Sequence, residues 1–170
     1  LYTFNVTVSS AATNGCIAVS NNPCFAEVRD EILQLAKEKN VPPVIVQAIA
    51  FKESGWKHFL ESASQALPDP ECALFGYVKS NPVSKWNCEN DGRIGVGLMQ
   101  ITLAPSESEF ARLDNDWKFN LRKGTDKLLA KWAEQRKLAP NDTGIDIDPT
   151  VIENWYYPVM WYNGEGNRAL

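Results

Sequence analysis

The chain has 170 residues, 44% hydrophobic and 22% charged, which suits one domain around one hydrophobic core and excludes disorder as the default. Its formal net charge is −4 with no long acidic or basic block, so charge points to neither a nucleic-acid nor a membrane partner. The longest apolar run, around Val44 to Phe51, is far too short to span a bilayer. The chain starts at Leu1 without a signal-peptide pattern and reads as a mature form or an excised piece.

In chain order, Tyr2, Phe4, Val6 and Val8 alternate with Thr3, Asn5, Thr7 and Ser9, a strand pattern that dissolves into a small-residue loop. Asn22-Pro23 predicts a helix start, with Asn as cap and Pro in the first turn. Phe25, Val28, Ile32, Leu35 and Ala36 then recur at helical spacing until Asn40. Pro42-Pro43 opens a second helix, Val44 to about Ser54, which Gly55 stops. Residues 56–95 are rich in Gly, Pro, Ser and Asn and read as loops with a small irregular sheet. A third helix is predicted from near Met99, and a short one over Ser106 to Leu113. The longest runs from about Asp116 to Leu138, and a last one from Thr150 to Tyr162. The fold class is therefore α+β, mainly α-helical with a minor sheet, arranged as an N-terminal extension over 1–24 and a main domain over 25–170.

Cys16, Cys24, Cys72 and Cys88 permit two disulfides in three pairings. The sequence-near pairs Cys16–Cys24 and Cys72–Cys88 are favoured, because each would staple a loop-rich stretch. Disulfides imply an oxidising, secreted setting; the alternative is four buried free thiols. The spacing does not suit zinc, and His58 is the single histidine, so neither a metal nor any other cofactor is expected.

Glu53 carries the strongest chemical signal. Val46, Ile49 and Ala50 precede it by seven, four and three residues, so a carboxylate ends an apolar helix stripe. An apolar wall and the negative end of the helix dipole both disfavour the charged carboxyl. A carboxyl that stays protonated near neutral pH can donate a proton to a glycosidic oxygen. The competing reading is a surface Glu at a fraying helix end.

Three further segments bear on that choice. Glu53-Ser54-Gly55-Trp56 closes the helix, Gly95-Val96-Gly97-Leu98-Met99-Gln100-Ile101-Thr102 follows, and Trp161-Tyr162-Asn163-Gly164-Glu165-Gly166 lies near the end. In this order they resemble the lytic transglycosylase and goose-type lysozyme group, glycoside hydrolase family 23. Asn120-Leu121-Arg122-Lys123-Gly124 is similar to that group's N-x-x-x-G helix segment. The resemblance covers roughly residues 26 to 167.

The resemblance implies a lysozyme-like fold with a cleft beside the small sheet. It also implies a substrate, the β-1,4 bond between N-acetylmuramic acid and N-acetylglucosamine in peptidoglycan. Glu53 would be the general acid and base. Gly97, Leu98, Met99 and Gln100 would line the cleft and hold the N-acetyl-bearing sugar, and Asn163 would shape the site. Tyr162 would lie close to Glu53, where its hydroxyl could orient the carboxyl. Ser54 is a candidate contact whose hydroxyl could instead bond back to its own helix. Gly124 is expected to let the long helix pack closely on a neighbour. The implied protein is a secreted or wall-associated monomer whose partner is the glycan strand.

A hydrolase needs a carboxylate to place water, whereas a transglycosylase uses the substrate's own 6-hydroxyl. Asp91 matches, position for position, the water-positioning aspartate of goose-type lysozymes. Asn90-Asp91-Gly92 is also ordinary turn chemistry. Goose-type enzymes use a second aspartate nearer the catalytic Glu, for which Asp69 and Glu71 are candidate stand-ins. The expectation leans to transglycosylase chemistry, the commoner branch among secreted wall enzymes of this pattern. Two other readings are weighed beside it. A non-catalytic glycan-binding module would use Trp56, Tyr77 and Trp86 as stacking surfaces. A chitinase-like enzyme would carry a D-x-x-D-x-D-x-E run, which is missing.

Overall fold

The structure, a computed structural model, describes residues 22–60, 84, 86–89, 91–138 and 147–164. The predicted strand over 1–15, Cys16, Asp69, Glu71, Cys72 and Tyr77 lie outside the described residues. The class is α+β, mostly helical, with a small antiparallel sheet of three strands.

Helix α1 spans Phe25–Lys39 and α2 spans Pro43–Ser54. Asn40, in the left-handed region with φ 54°, ends α1; Gly55, with φ 64°, ends α2. The N-cap of α1 is Cys24, not the predicted Asn22. The Cys24 N–H donates to Glu27 Oε2 over 2.9 Å. Asn22 serves elsewhere: its Nδ2 donates to the Phe59 carbonyl over 2.8 Å, and its Oδ1 accepts from the Phe59 N–H over 2.6 Å.

Strands β1 (Trp86–Cys88), β2 (Ile94–Val96) and β3 (Ile101–Leu103) pair in that order, with Cys88 opposite Ile94 and Ile94 opposite Leu103. The helix expected from Met99 does not form. Gly97 (φ 71°) and Gln100 (φ 47°) both adopt left-handed backbone, which breaks a right-handed helix, and residues 97–100 instead turn β2 into β3. Helix α3 spans Phe110–Asn115 and α4 spans Trp117–Leu138, close to the long helix expected. The last predicted helix splits into a 3-10 turn, Ile152–Trp155, and α5, Tyr156–Tyr162.

Two apolar clusters form. One joins Val28, Ile32 and Leu35 of α1, Val46, Ile49 and Ala50 of α2, and Leu121, Leu128 and Trp132 of α4 to Leu98, Met99, Trp155 and Tyr162. Trp132 stacks on Trp155 with ring centroids 4.2 Å apart. The other packs the sheet residues Cys88, Ile94, Val96 and Leu103 on Phe110 and Leu113 of α3. Fully burying one such aliphatic or aromatic side chain stabilises by about 1.5–3 kcal/mol, so these stripes set where the elements sit. Cys24 and Cys88 are both disulfide-bonded, against the free-thiol alternative. Among the described residues, no helix is long and apolar enough to cross a membrane.

Candidate active site

The turn over 97–100 joins the two clusters, and side chains from three directions fix its backbone. The Leu98 N–H donates to His58 Nδ1 over 3.0 Å. With Nδ1 accepting, Nε2 carries the proton and donates to the Asp114 carbonyl over 3.1 Å. His58 is fully buried, and burial pushes its pKa down to about 4, so it is neutral here. The Met99 N–H donates to Asn120 Oδ1 over 2.8 Å, and Asn120 Nδ2 donates to the Val96 carbonyl over 2.8 Å. The Tyr162 hydroxyl donates to the Met99 carbonyl over 2.7 Å.

Gly97 is required at this point. A β-carbon there would lie 2.6 Å from His58 Nδ1 and 2.7 Å from Asn120 Nδ2. The turn delivers Gln100, whose Nε2 donates to the Gly97 carbonyl over 2.8 Å, to the edge of a cleft.

That cleft has a volume of about 510 Å³. Glu53 lines it from α2 and Gln100 from the turn; Gly95, Thr102, Asn87, Glu89 and Arg93 line it from the sheet and its hairpin. Lys127 and Lys131 enter from α4, and Trp161, Tyr162, Asn163 and Gly164 close it. Glu53 is half-buried at the end of the stripe of Val46, Ile49 and Ala50, all three buried. Burial raises its pKa, while the charges of Lys127 and Lys52 pull it back. Tyr162 is almost wholly buried; burial first and the Glu53 charge second raise its pKa, so it remains a neutral donor.

The structure therefore gathers Glu53, Gln100, Tyr162 and Asn163 at one cleft. It places other candidates elsewhere. Gly97, Leu98 and Met99 are buried and face the core, so they shape the site from behind instead of lining it. Ser54 is buried and its hydroxyl donates to the Ala50 carbonyl over 3.0 Å, the back-bond of a helix residue. The Tyr162 hydroxyl is given to Met99 and not to the Glu53 carboxyl. Asp91 is exposed and turned into its own loop: Oδ1 accepts from the Arg93 N–H over 3.1 Å and Oδ2 from Arg93 Nε over 2.8 Å. Those bonds, the backbone one first, hold its pKa low. Asp91 is not among the residues lining the cleft.

Of the suggested stacking aromatics, Trp56 and Trp86 each have the indole N–H engaged. Trp56 Nε1 donates to the Gln47 carbonyl over 2.9 Å, and Trp86 Nε1 donates to Asp114 Oδ1 over 2.8 Å. Trp161 and Tyr162 are the aromatics that line the cleft among the described residues.

Glu89, Arg93, Lys127, Lys131 and Trp161 were not singled out from the sequence. For the two lysines a signal existed. Asn120, Gly124, Lys127 and Lys131 follow one another at four, three and four residues, so they share one face of α4. The face that braces the turn therefore continues into the cleft. Among the described residues, no group of His, Cys, Asp and Glu is arranged to hold a metal ion. Comparison with family models, curated proteins and solved structures returns no match.

Proposed function

We propose that this chain cleaves the β-1,4 bond between N-acetylmuramic acid and N-acetylglucosamine in peptidoglycan, with Glu53 as acid and then as base. The observation that carries the reading is the Glu53 carboxyl, half-buried in a polar cleft, with burial raising its pKa. In its protonated form it can give a proton to the glycosidic oxygen as the bond to the muramic acid C1 breaks. The resulting carboxylate then takes the proton of the muramic acid 6-hydroxyl as that oxygen bonds to C1, leaving a 1,6-anhydro end. The nucleophile belongs to the substrate, so proximity supplies much of the rate. The commitment of Asp91 to its own turn supports this route, since it leaves that carboxylate away from the cleft. A secreted or wall-associated setting accords with disulfides at Cys24 and Cys88.

A second reading, hydrolysis, rests on Glu89. Glu89 does line the cleft, where its charge acts on Lys127, and a carboxylate there could hold a water. Mass spectrometry of digested peptidoglycan separates the two. Anhydromuramic ends support internal attack; ordinary reducing ends that disappear in Glu89→Gln support hydrolysis. In either case Glu53→Gln abolishes cleavage and preserves glycan binding. A Glu53→Gln variant that cleaves as fast as the parent sinks the assignment, and a parent chain that binds but never cleaves leaves the binding-module reading in its place.

A further inference from the structure

Among the described residues the cleft contains three cations, Arg93, Lys127 and Lys131, and they are not equivalent. Arg93 Nε is held by Asp91 over 2.8 Å, and Lys131 Nζ by Glu134 over 3.0 Å. Lys127 makes no ion pair among the described residues, although it is partly buried and lines the cleft. Its position is defined nonetheless. Its Nζ lies 4.2 Å from the centre of the Tyr162 ring, and that ring is fixed by its hydroxyl bond to Met99. Lys127 also stands three residues beyond Gly124 on the helix face that packs under Met99.

We propose that Lys127 is an anion subsite that receives a carboxylate carried by the glycan substrate. This rests on the glycan-cleaving reading above and adds a substrate requirement to it. A partly buried ammonium with no paired anion is poorly compensated, and its surroundings push its pKa down through burial, opposed chiefly by the charge of Glu53. Glu53 must be neutral to act as an acid. In that state Lys127 loses the larger of its two stabilising anions and keeps the Glu89 charge. A substrate carboxylate would replace the lost charge when the acid form is needed. Muramic acid can supply one from its lactyl group where the peptide has been removed; where the peptide is attached, the nearest carboxylates belong to the peptide.

The test is calorimetric binding in a Glu53→Gln background, which removes cleavage and the Lys127–Glu53 coupling together. The probes are a peptide-free peptidoglycan tetrasaccharide and the same compound with its carboxyls converted to neutral amides. The carboxylate form should bind about tenfold more tightly, the range of one charge-assisted hydrogen bond. Lys127→Met should erase that preference, so that the two forms bind alike, and a melting transition like the parent's shows that the variant is folded. Lys127→Arg should retain most of it. A peptide-bearing tetrasaccharide, with and without amidated peptide carboxyls, tells the lactyl source from the peptide source. Equal binding of the two peptide-free forms, together with no effect of amidation on the peptide-bearing one, overturns the subsite alone, as does a preference that survives Lys127→Met. Failure to bind any form overturns the glycan reading and the subsite with it.

Discussion

Gly124 of α4 lies so close beneath Met99 that a β-carbon on it would stand 2.5 Å from Met99 Cβ and 2.6 Å from Met99 Cγ. Two effects compete in Gly124→Ala. Alanine gains about 1 kcal/mol of helix propensity over glycine. Overpacking costs about 1–3 kcal/mol, and here the obstructing atom is a β-carbon, which moves only with its backbone. The backbone in question is pinned at the Met99 N–H and carbonyl. The clash should therefore win, for a net loss of up to about 2 kcal/mol in chemical denaturation. Met99→Ala in the same chain removes the Cγ and Cε contacts but keeps the Cβ one, so it should recover only the smaller part of the added loss. A Gly124→Ala variant as stable as the parent would mean that α4 can retreat from the turn.

How far the sequence carries the fold follows from the same segment. Helices α1, α2 and α4 were legible because their ends are punctuated locally, by Pro43 and Gly55 in α2 and by Asn40 in α1. The turn over 97–100 was misread as a helix start because what holds it is distant. His58 and Asn120 capture its N–H groups from 40 and 21 residues away, and no local propensity encodes that. Glu53, Gln100, Tyr162 and Asn163, each named from the sequence pattern, do line one cleft. The pattern points to Asp91, yet it is Glu89 that lines the cleft. They sit two residues apart in one hairpin, and the pairing of Cys88 with Ile94 leaves Glu89 at the strand end and Asp91 in the turn. Lys127 was readable from its spacing to Asn120 and Gly124 once that helix face was known to point at the site.

His58 should make the fold acid-sensitive. Its folded pKa is about 4, below the 6.5 of an unperturbed histidine, because the neutral ring is buried with Nδ1 accepting. Between those values the unfolded chain binds more protons than the folded one, so stability rises with pH across the window. Full benefit is present above about pH 6.5 and is lost as pH falls toward 4, a contribution of about 3 kcal/mol. His58→Gln should be less stable than the parent at pH 7, and the gap should narrow on acidification through that window. Parallel stability curves for parent and variant would show that His58 is protonated without cost.

Asp91→Asn tests the carboxylate that the resemblance to goose-type lysozymes singles out. Its oxygens are used by Arg93, in an exposed turn outside the cleft. Asparagine can still accept from the Arg93 N–H, and an exposed ion pair contributes little. Under the proposed function, cleavage of peptidoglycan should stay within a factor of about three of the parent, with the same product ends and nearly the same melting temperature. A loss of a hundredfold or more would return Asp91 to the reacting centre and require the hairpin to close over the substrate.

Tyr162→Phe separates support from chemistry at the same site. The lost hydroxyl leaves the Met99 carbonyl without that donor in a buried position, which costs about 1–3 kcal/mol. The phenyl ring remains, so the face on which Lys127 rests is kept. If the hydroxyl works by bracing the turn that carries Gln100, the variant should melt several degrees lower. At temperatures where it is folded, it should retain turnover within a few-fold. The pH at which activity falls on the alkaline side should shift little, because Tyr162 donates to Met99 and not to Glu53. A variant with parental stability and no turnover would place that hydroxyl on Glu53 or the substrate during the reaction, and Met99 would be its resting partner only.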